Sequence, residues 1–447
     1  MATEYYLRRQ LEVMMADPKN WDYSYSNETD PRKRLECLTR HYNGHIRQRA
    51  VLCLGLMKEG EALPSIIKRV NDWASQVRDA ARQSIRQFMT PESAGWLVVC
   101  LPDFYALLNT RRDNHALLVD EIVSFLARPE HCAALMSGLV SPKNDVARYA
   151  QALLLEHQLL AVDVIFESTR RHKNAAVRLA AARALLAQPE SVTQERLLAL
   201  LKDRYAPVRQ AALNHVIDEA RDVPVSLLLE LLCDRNEVVR KRAARLLIAG
   251  GQPVIAHYLS IFGDENQKIS RRRIALSGLD EQKYENVLAL AADCLKSSNK
   301  ALCKTALQIT VHGLQEDARE VLLEAMAHPA YPVAIFACRY FVKLKLYIRL
   351  SDIQQSQAVA PSVKHQQLYF SLAARLNRWD RLQFLLMNAE SADTELLRQA
   401  LNNGSHEQTH TYHEPSREQK KVLLTLLRQH PHIALKDRPY LLQMLAQ

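Results

Sequence analysis

One spacing decides most of what this chain can become. An Ala recurs with a β-branched apolar residue four positions before it, commonly followed by Arg, and another apolar residue four positions after it. The frame reads Ile46-Arg47, Ala50, Leu54, then Val77-Arg78, Ala81, Ile85, and later Val146, Ala150, Leu154 and Val177-Arg178, Ala181, Leu185. Val208-Arg209, Ala212, Val216 and Val239-Arg240, Ala243, Leu247 continue it, with weaker copies around Ala275, Ala306 and Ala337. Successive alanines stand 31, 69, 31, 31, 31, 32, 31 and 31 residues apart, and the 69 holds two units with a degenerate copy in 114–128. Positions i, i+4 and i+8 line one helical face, so each copy is the buried stripe of a helix. Ala in the middle lets neighbouring helices approach closely. Amphipathic first helices are expected between the copies at 194–202, 224–233, 285–296 and 318–327, and Pro207 suits a first helical turn. A two-helix unit cannot bury its own apolar face, so about ten units are expected to stack into an all-α solenoid.

The signature Asp-x-x-x-x-Val-Arg-x-Ala-Ala, clearest from Asp203 to Ala212, resembles the HEAT repeat, close to the short HEAT-like repeats of phycobilin lyases. The resemblance covers 32–345. It implies a structural ladder linking adjacent units, carried here by Arg47, Arg78, Arg178, Arg209 and Arg240 with Asp203 and Asp234. The ladder Arg is missing at Ala147, Cys303 and Ala334, so less regular packing is expected among the first four and last three units. Residues 1–31 read as an N-terminal cap. Beyond 346 the register fades into a helical C-terminal region, with helices expected at 363–376, 379–387, 394–402, 416–430 and 438–446 and a polar loop at 403–415.

Composition agrees with helices. Glycine, which supplies the positive φ of tight turns, occurs only 11 times in 447 residues, about 2.5% against a typical ~7%. No apolar run reaches the ~20 residues that span a bilayer, and the N-terminal segment lacks the apolar core of a secretory leader. Eight scattered cysteines without a C-x-x-C pair read as reduced thiols of a cytoplasmic protein.

Two clusters are candidates for function. Within 235–273 lie Arg235, Arg240, Lys241, Arg242, Arg245, Lys268, Arg271, Arg272 and Arg273, against Glu237, Asp264 and Glu265. Lys241, Arg273 and Lys304 each stand two residues before their alanine, so they are expected to stack as a basic rim on consecutive second helices. Arg271 occupies the slot that is usually a buried β-branched residue. A solvated face explains such charge runs equally well. The second cluster, His406, His410 and His413, has spacing compatible with zinc but lies in a sequence that disfavours a helix, and no metal or other cofactor is expected. No carboxylate stands four residues after any of the four tryptophans, the pairing sought for a HEAT-like DNA glycosylase, and the phosphate-loop, nucleophile-elbow and zinc-protease motifs are missing. The sequence therefore reads as a non-enzymatic scaffold or adaptor, with an inhibitor or immunity type as a special case, that binds a protein with an acidic surface. The alternative is a nucleic-acid-binding protein using the rim around 235–304.

Overall fold

A computed structural model describes residues 9, 28, 30–390, 414–431, 433 and 438–446. Every regular element among them is helical. The chain divides into two compact units, Met1–Val223 and Pro224–Gln447. The first contains α1 (Pro31–Leu38), α2 (Gly44–Met57), α3 (Leu63–Val70), α4 (Ser75–Gln87), α5 (Ala94–Val99), α6 (Leu101–Leu107), α7 (Ala116–Leu126), α8 (Cys132–Leu139), α9 (Asn144–Glu156), α10 (Val162–Thr169), α11 (Ala175–Leu186), α12 (Gln194–Leu201) and α13 (Ala206–Asp218). The second contains α14 (Val225–Leu231), α15 (Glu237–Ala249), α16 (Val254–Gly263), α17 (Ile269–Glu281), α18 (Val287–Leu295), α19 (Lys300–Leu314), α20 (Arg319–Met326), α21 (Tyr331–Lys343), α22 (Leu350–Ala358), α23 (Val363–Ala373), α24 (Arg378–Met387), α25 (Arg417–Gln429) and α26 (Arg438–Ala446). The expected helices in the described regions form within three residues of their expected ends.

Within each unit the helices pair as first and second members, and second helices pack on one another, as α2 on α4, α11 on α13 and α19 on α21. The alanine spine lies along these contacts. All nine repeat alanines are at most 1% exposed. Each stands seven residues after the N-cap of its helix, from Asn43 and Ala50 to Ala330 and Ala337. That offset also shows where the pattern hides from the eye. In α7, α23 and α25 the same slot holds Ile122, Tyr369 and Leu423, each fully buried. The helix pair survives there because a larger apolar residue fills the spine. Tyr369 needs a partner for its hydroxyl and donates to the Ser356 carbonyl at 2.9 Å. One apolar core runs from Leu307 to Leu445, so the boundary expected near 345 falls inside a continuous core.

Second helices must stop although glycine is scarce. Seven of them end in a left-handed residue: Lys58, Gln158, Ala220, Gly251, Lys283, Gln315 and Lys345. Only one is glycine, so six helix ends carry a Cβ in a conformation that costs roughly 1–2 kcal/mol. Gly278 has a different duty. A Cβ there would stand 2.3 Å from the Tyr258 ring, so α16 and α17 meet as closely as they do only with hydrogen at that position. Most of the expected cap at 1–31, the helix at 394–402 and almost all of the loop at 403–415 lie outside the described residues.

Candidate functional site

The ladder is built from the residue four past each N-cap. Arg47, 2% exposed, donates Nη1 to the carbonyls of His41 and Tyr42 at 2.8 and 2.9 Å in its own loop. Its Nε and Nη2 reach across to the Asp72 carboxylate of the next unit at 3.0 and 2.7 Å. Burial alone would push the Asp72 carboxyl up, but the Arg47 hydrogen bonds, the Ala74 N–H and the Arg47 and Arg69 charges together hold it below its ordinary value. Arg178 repeats the geometry on His172 and Lys173 carbonyls and on Asp203 at 2.8 and 3.0 Å. Arg78 bonds the Asp72 carbonyl and, across a longer loop, Asp113 at 3.1 Å. Asp113 is held down to about 2, first by its hydrogen bond from Arg82. Arg209 donates to the Asp203 carbonyl, and Asp234 accepts from the Asn236 N–H. The repeating unit is a pair of helices.

At two of the slots that lack the ladder Arg, Ala147 and Ala334, a histidine from the next unit meets the loop carbonyl, a substitution the sequence reading missed. Beside Ala147, His172 accepts the Asn174 N–H at Nδ1, which places the proton on Nε2, and Nε2 meets the Ser141 carbonyl at 3.3 Å. That carbonyl lies six residues before Ala147, as the His41 carbonyl lies six before Arg47. Beside Ala334, His365 Nε2 meets the His328 carbonyl at 3.1 Å, again six residues before the slot. At Cys303 the thiol itself donates to the Ser297 carbonyl at 2.9 Å, with His328 Nε2 3.9 Å from Sγ. The cause is shared: a loop carbonyl turned into the joint needs a donor, and Arg, a His N–H or, at Cys303, the thiol supplies it. The offset was available in the sequence, since His172 and His328 stand 25 residues after Ala147 and Cys303, as Asp72 and Asp203 do after Arg47 and Arg178.

The basic rim is more divided than expected. Arg240 is not on it: the side chain is buried, donates to the carbonyls of Asp234 and Arg235, and forms an ion pair with Glu281. It is a ladder residue whose acidic partner comes from the end of α17. Arg242 is half-buried, and Arg272 is directed onto the Phe262 carbonyl at 2.9 Å. Lys241 is exposed but paired with Glu237, four residues earlier. Lys304 is half-buried, with Nζ 5.9 Å from the centre of the Phe336 ring. Arg271 opens to solvent from the slot that buries valine elsewhere, its guanidinium 3.7 Å from Cys233 Sγ. Arg245, Lys268 and Arg273 are exposed and form no ion pair among the described residues. Arg245 stands four residues after Lys241, so it extends the row on the same face of α15.

Chemistry finds little purchase elsewhere. No group of three or more His, Cys, Asp or Glu residues that could hold a metal occurs among the described residues. His406, His410 and His413 lie outside them. Burial pushes the thiols of Cys53 and Cys338 up to about 11 and that of Cys100 to about 12, so they stay protonated at neutral pH. No described helix is long and apolar enough to cross a membrane.

Neither a family model nor a curated protein matches the chain. Solved structures do, at low identity. A chain from the structure of Kap95p with RanGDP is 12% identical with a TM-score of 0.42, covering 93% of this chain and 66% of that one. Importin beta, crystallised in polyethylene glycol, is 13% identical with a TM-score of 0.33, covering 96% and 63%. YibA of E. coli is 16% identical with a TM-score of 0.20, covering 70% and 92%. The chain thus spans less than two thirds of the first two structures' length.

Proposed function

We propose that the protein is a non-catalytic scaffold that binds an acidic protein partner through the second-helix face of its C-terminal unit. One observation carries the reading: Arg245, Lys268, Arg271 and Arg273 lie exposed on and beside α15 and α17 without an ion-pair partner among the described residues. A folded chain gains nothing by holding like charges together, whereas an acidic partner meets them all. The eight free thiols suit a reducing compartment such as the cytoplasm. The test compares the intact protein with R245E/R271E/R273E in affinity capture, with and without nuclease. A partner that survives nuclease and is lost from a variant of unchanged helicity supports the reading. A partner removed by nuclease transfers the surface to nucleic acid, the second reading for this rim. If the variant retains every partner, these charges are only a solvated face.

A further inference from the structure

The N-terminal unit carries a charge asymmetry that the ladder does not require. Six loops join a first helix to its second: 39–43, 71–74, 108–115, 140–143, 170–174 and 202–205. They hold nine Lys and Arg against three acids, and each acid, Asp72, Asp113 or Asp203, is already engaged by a ladder arginine. The loops at the other end of the same helices, 58–62, 88–93, 127–131, 157–161, 187–193 and 219–223, hold three cations against seven acids. In the C-terminal unit the corresponding joining loops 232–236, 264–268 and 296–299 are balanced, with three of each sign. The excess is local to one edge of one unit.

Along that edge the cations keep step with the repeat. Arg112, Lys143, Lys173 and Arg204 are exposed, one in each of four successive joining loops, with ~10 Å expected between layers. Backbone carbonyls steer two of them without neutralising them: Arg112 donates to Asn71, and Arg204 to His172 and Lys173. Helix stability does not call for these charges. Lys143 is an N-cap, and Lys173 and Arg204 directly precede N-caps, where the helix dipole disfavours a cation. The position directly before the N-cap is aromatic in the first two units, where Tyr42 is 81% and Trp73 69% exposed. The slots that would staple these residues to their helices hold the ladder arginines Arg47 and Arg78; Arg47 covers one face of the Trp73 ring at 4.8 Å from its centre and Tyr42 rests on the His41 ring, and each aromatic keeps its remaining surface open to solvent. A cavity of about 180 Å³, lined by Phe166, Arg170, Arg171 and Arg178 with Asp203 already bound to Arg178, opens on the same edge.

We infer that this edge is a track for single-stranded nucleic acid: Arg112, Lys143, Lys173 and Arg204 follow the phosphates, and Tyr42 and Trp73 stack bases. The combination of a basic line with exposed aromatic faces distinguishes this ligand from an acidic polypeptide, which needs the first and not the second. The surface is separate from the C-terminal face above, so either can fail alone.

The experiment uses the full chain and fluorescently labelled 20-residue oligothymidylate and oligouridylate, with polyglutamate as the acidic control. Affinity for the strands should fall with salt at a log–log slope of about −3, from four phosphate contacts at roughly −0.7 each. R112E/K143E/K173E/R204E should weaken binding more than about tenfold, W73A by about tenfold, and W73F much less, because a phenyl ring still stacks. Circular dichroism establishes that each variant is folded. Absence of strand binding at low salt overturns the inference, as does an unchanged affinity in the quadruple variant. Polyglutamate binding as tightly as the strands, with W73A silent for both, overturns it in favour of an acidic protein.

Discussion

The histidine joints make a sharp prediction at Arg178 and Asp203. Arg178 is 3% and Asp203 11% exposed, and two hydrogen bonds join them while the third guanidinium nitrogen holds the His172 carbonyl. R178A strands the carboxylate and that carbonyl, and D203H strands a buried guanidinium. Each should cost about 3 kcal/mol, the lower end for breaking a buried pair because Asp203 keeps some contact with water. The double variant R178A/D203H rebuilds the Ala147–His172 joint one unit further on. The Tyr205 N–H that now donates to Asp203 Oδ1 would donate to Nδ1, leaving Nε2–H for the His172 carbonyl 31 residues back, the separation of His172 from Ser141. With a coupling of about 3 kcal/mol, D203H should therefore cost nothing when made on R178A, although it costs about 3 when made alone. Guanidinium denaturation followed by far-ultraviolet circular dichroism measures all four corners of the cycle. If D203H lowers R178A by a further 3 kcal/mol, histidine does not replace the Arg–Asp link and the reading of these joints is wrong.

Ala212→Leu adds bulk to a fully buried spine contact and should destabilise by about 1–3 kcal/mol; an unchanged denaturation midpoint would contradict the spine. Ala220→Gly relieves a Cβ at φ 48° and should raise stability by about 1 kcal/mol, measured as a higher midpoint, whereas a loss would show that this helix end is not strained. Gly278→Ala places a methyl against the Tyr258 ring and should lower the midpoint by the equivalent of about 1–3 kcal/mol. The Asp72 and Asp113 carboxyls are held below their ordinary values, so the stability they contribute is present above the ordinary carboxylate range and is lost as pH falls through their folded-state values, about 2 for Asp113. In D113N that acid-induced loss should be smaller, and an identical acid titration of stability would refute the assignment.

The repeat was legible because its spine tolerates so little: a residue squeezed between helices must be small, and Ala at 31-residue spacing is visible without structure. The pattern faded at Ile122, Tyr369 and Leu423 because the same slot was filled by side chains that look like any other core residue. The charge run at 235–273 misled for a related reason. Residues adjacent in sequence point in different directions on a helix, so Arg240 goes inward to Glu281, Arg272 to the Phe262 carbonyl and Arg273 outward. The cations of the N-terminal edge were missed because they are spread thinly, none to three per loop from Arg40 to Arg204. Counting charge by loop, at either end of each helix pair, would have found them.

The two kinds of joint also restrict how the chain can be edited. A repeat array is usually pictured as interchangeable bricks that duplicate or drop out without penalty. Here each brick is keyed. Excising 172–202 keeps the 31-residue phase yet sets Ala147 against Asp203, leaving the Ser141 carbonyl facing a carboxylate with no proton between them. Copies can be gained or lost only where the slot of one unit and the loop of the next still speak the same chemistry, so the order of Arg–Asp and histidine joints records which rearrangements the fold can survive.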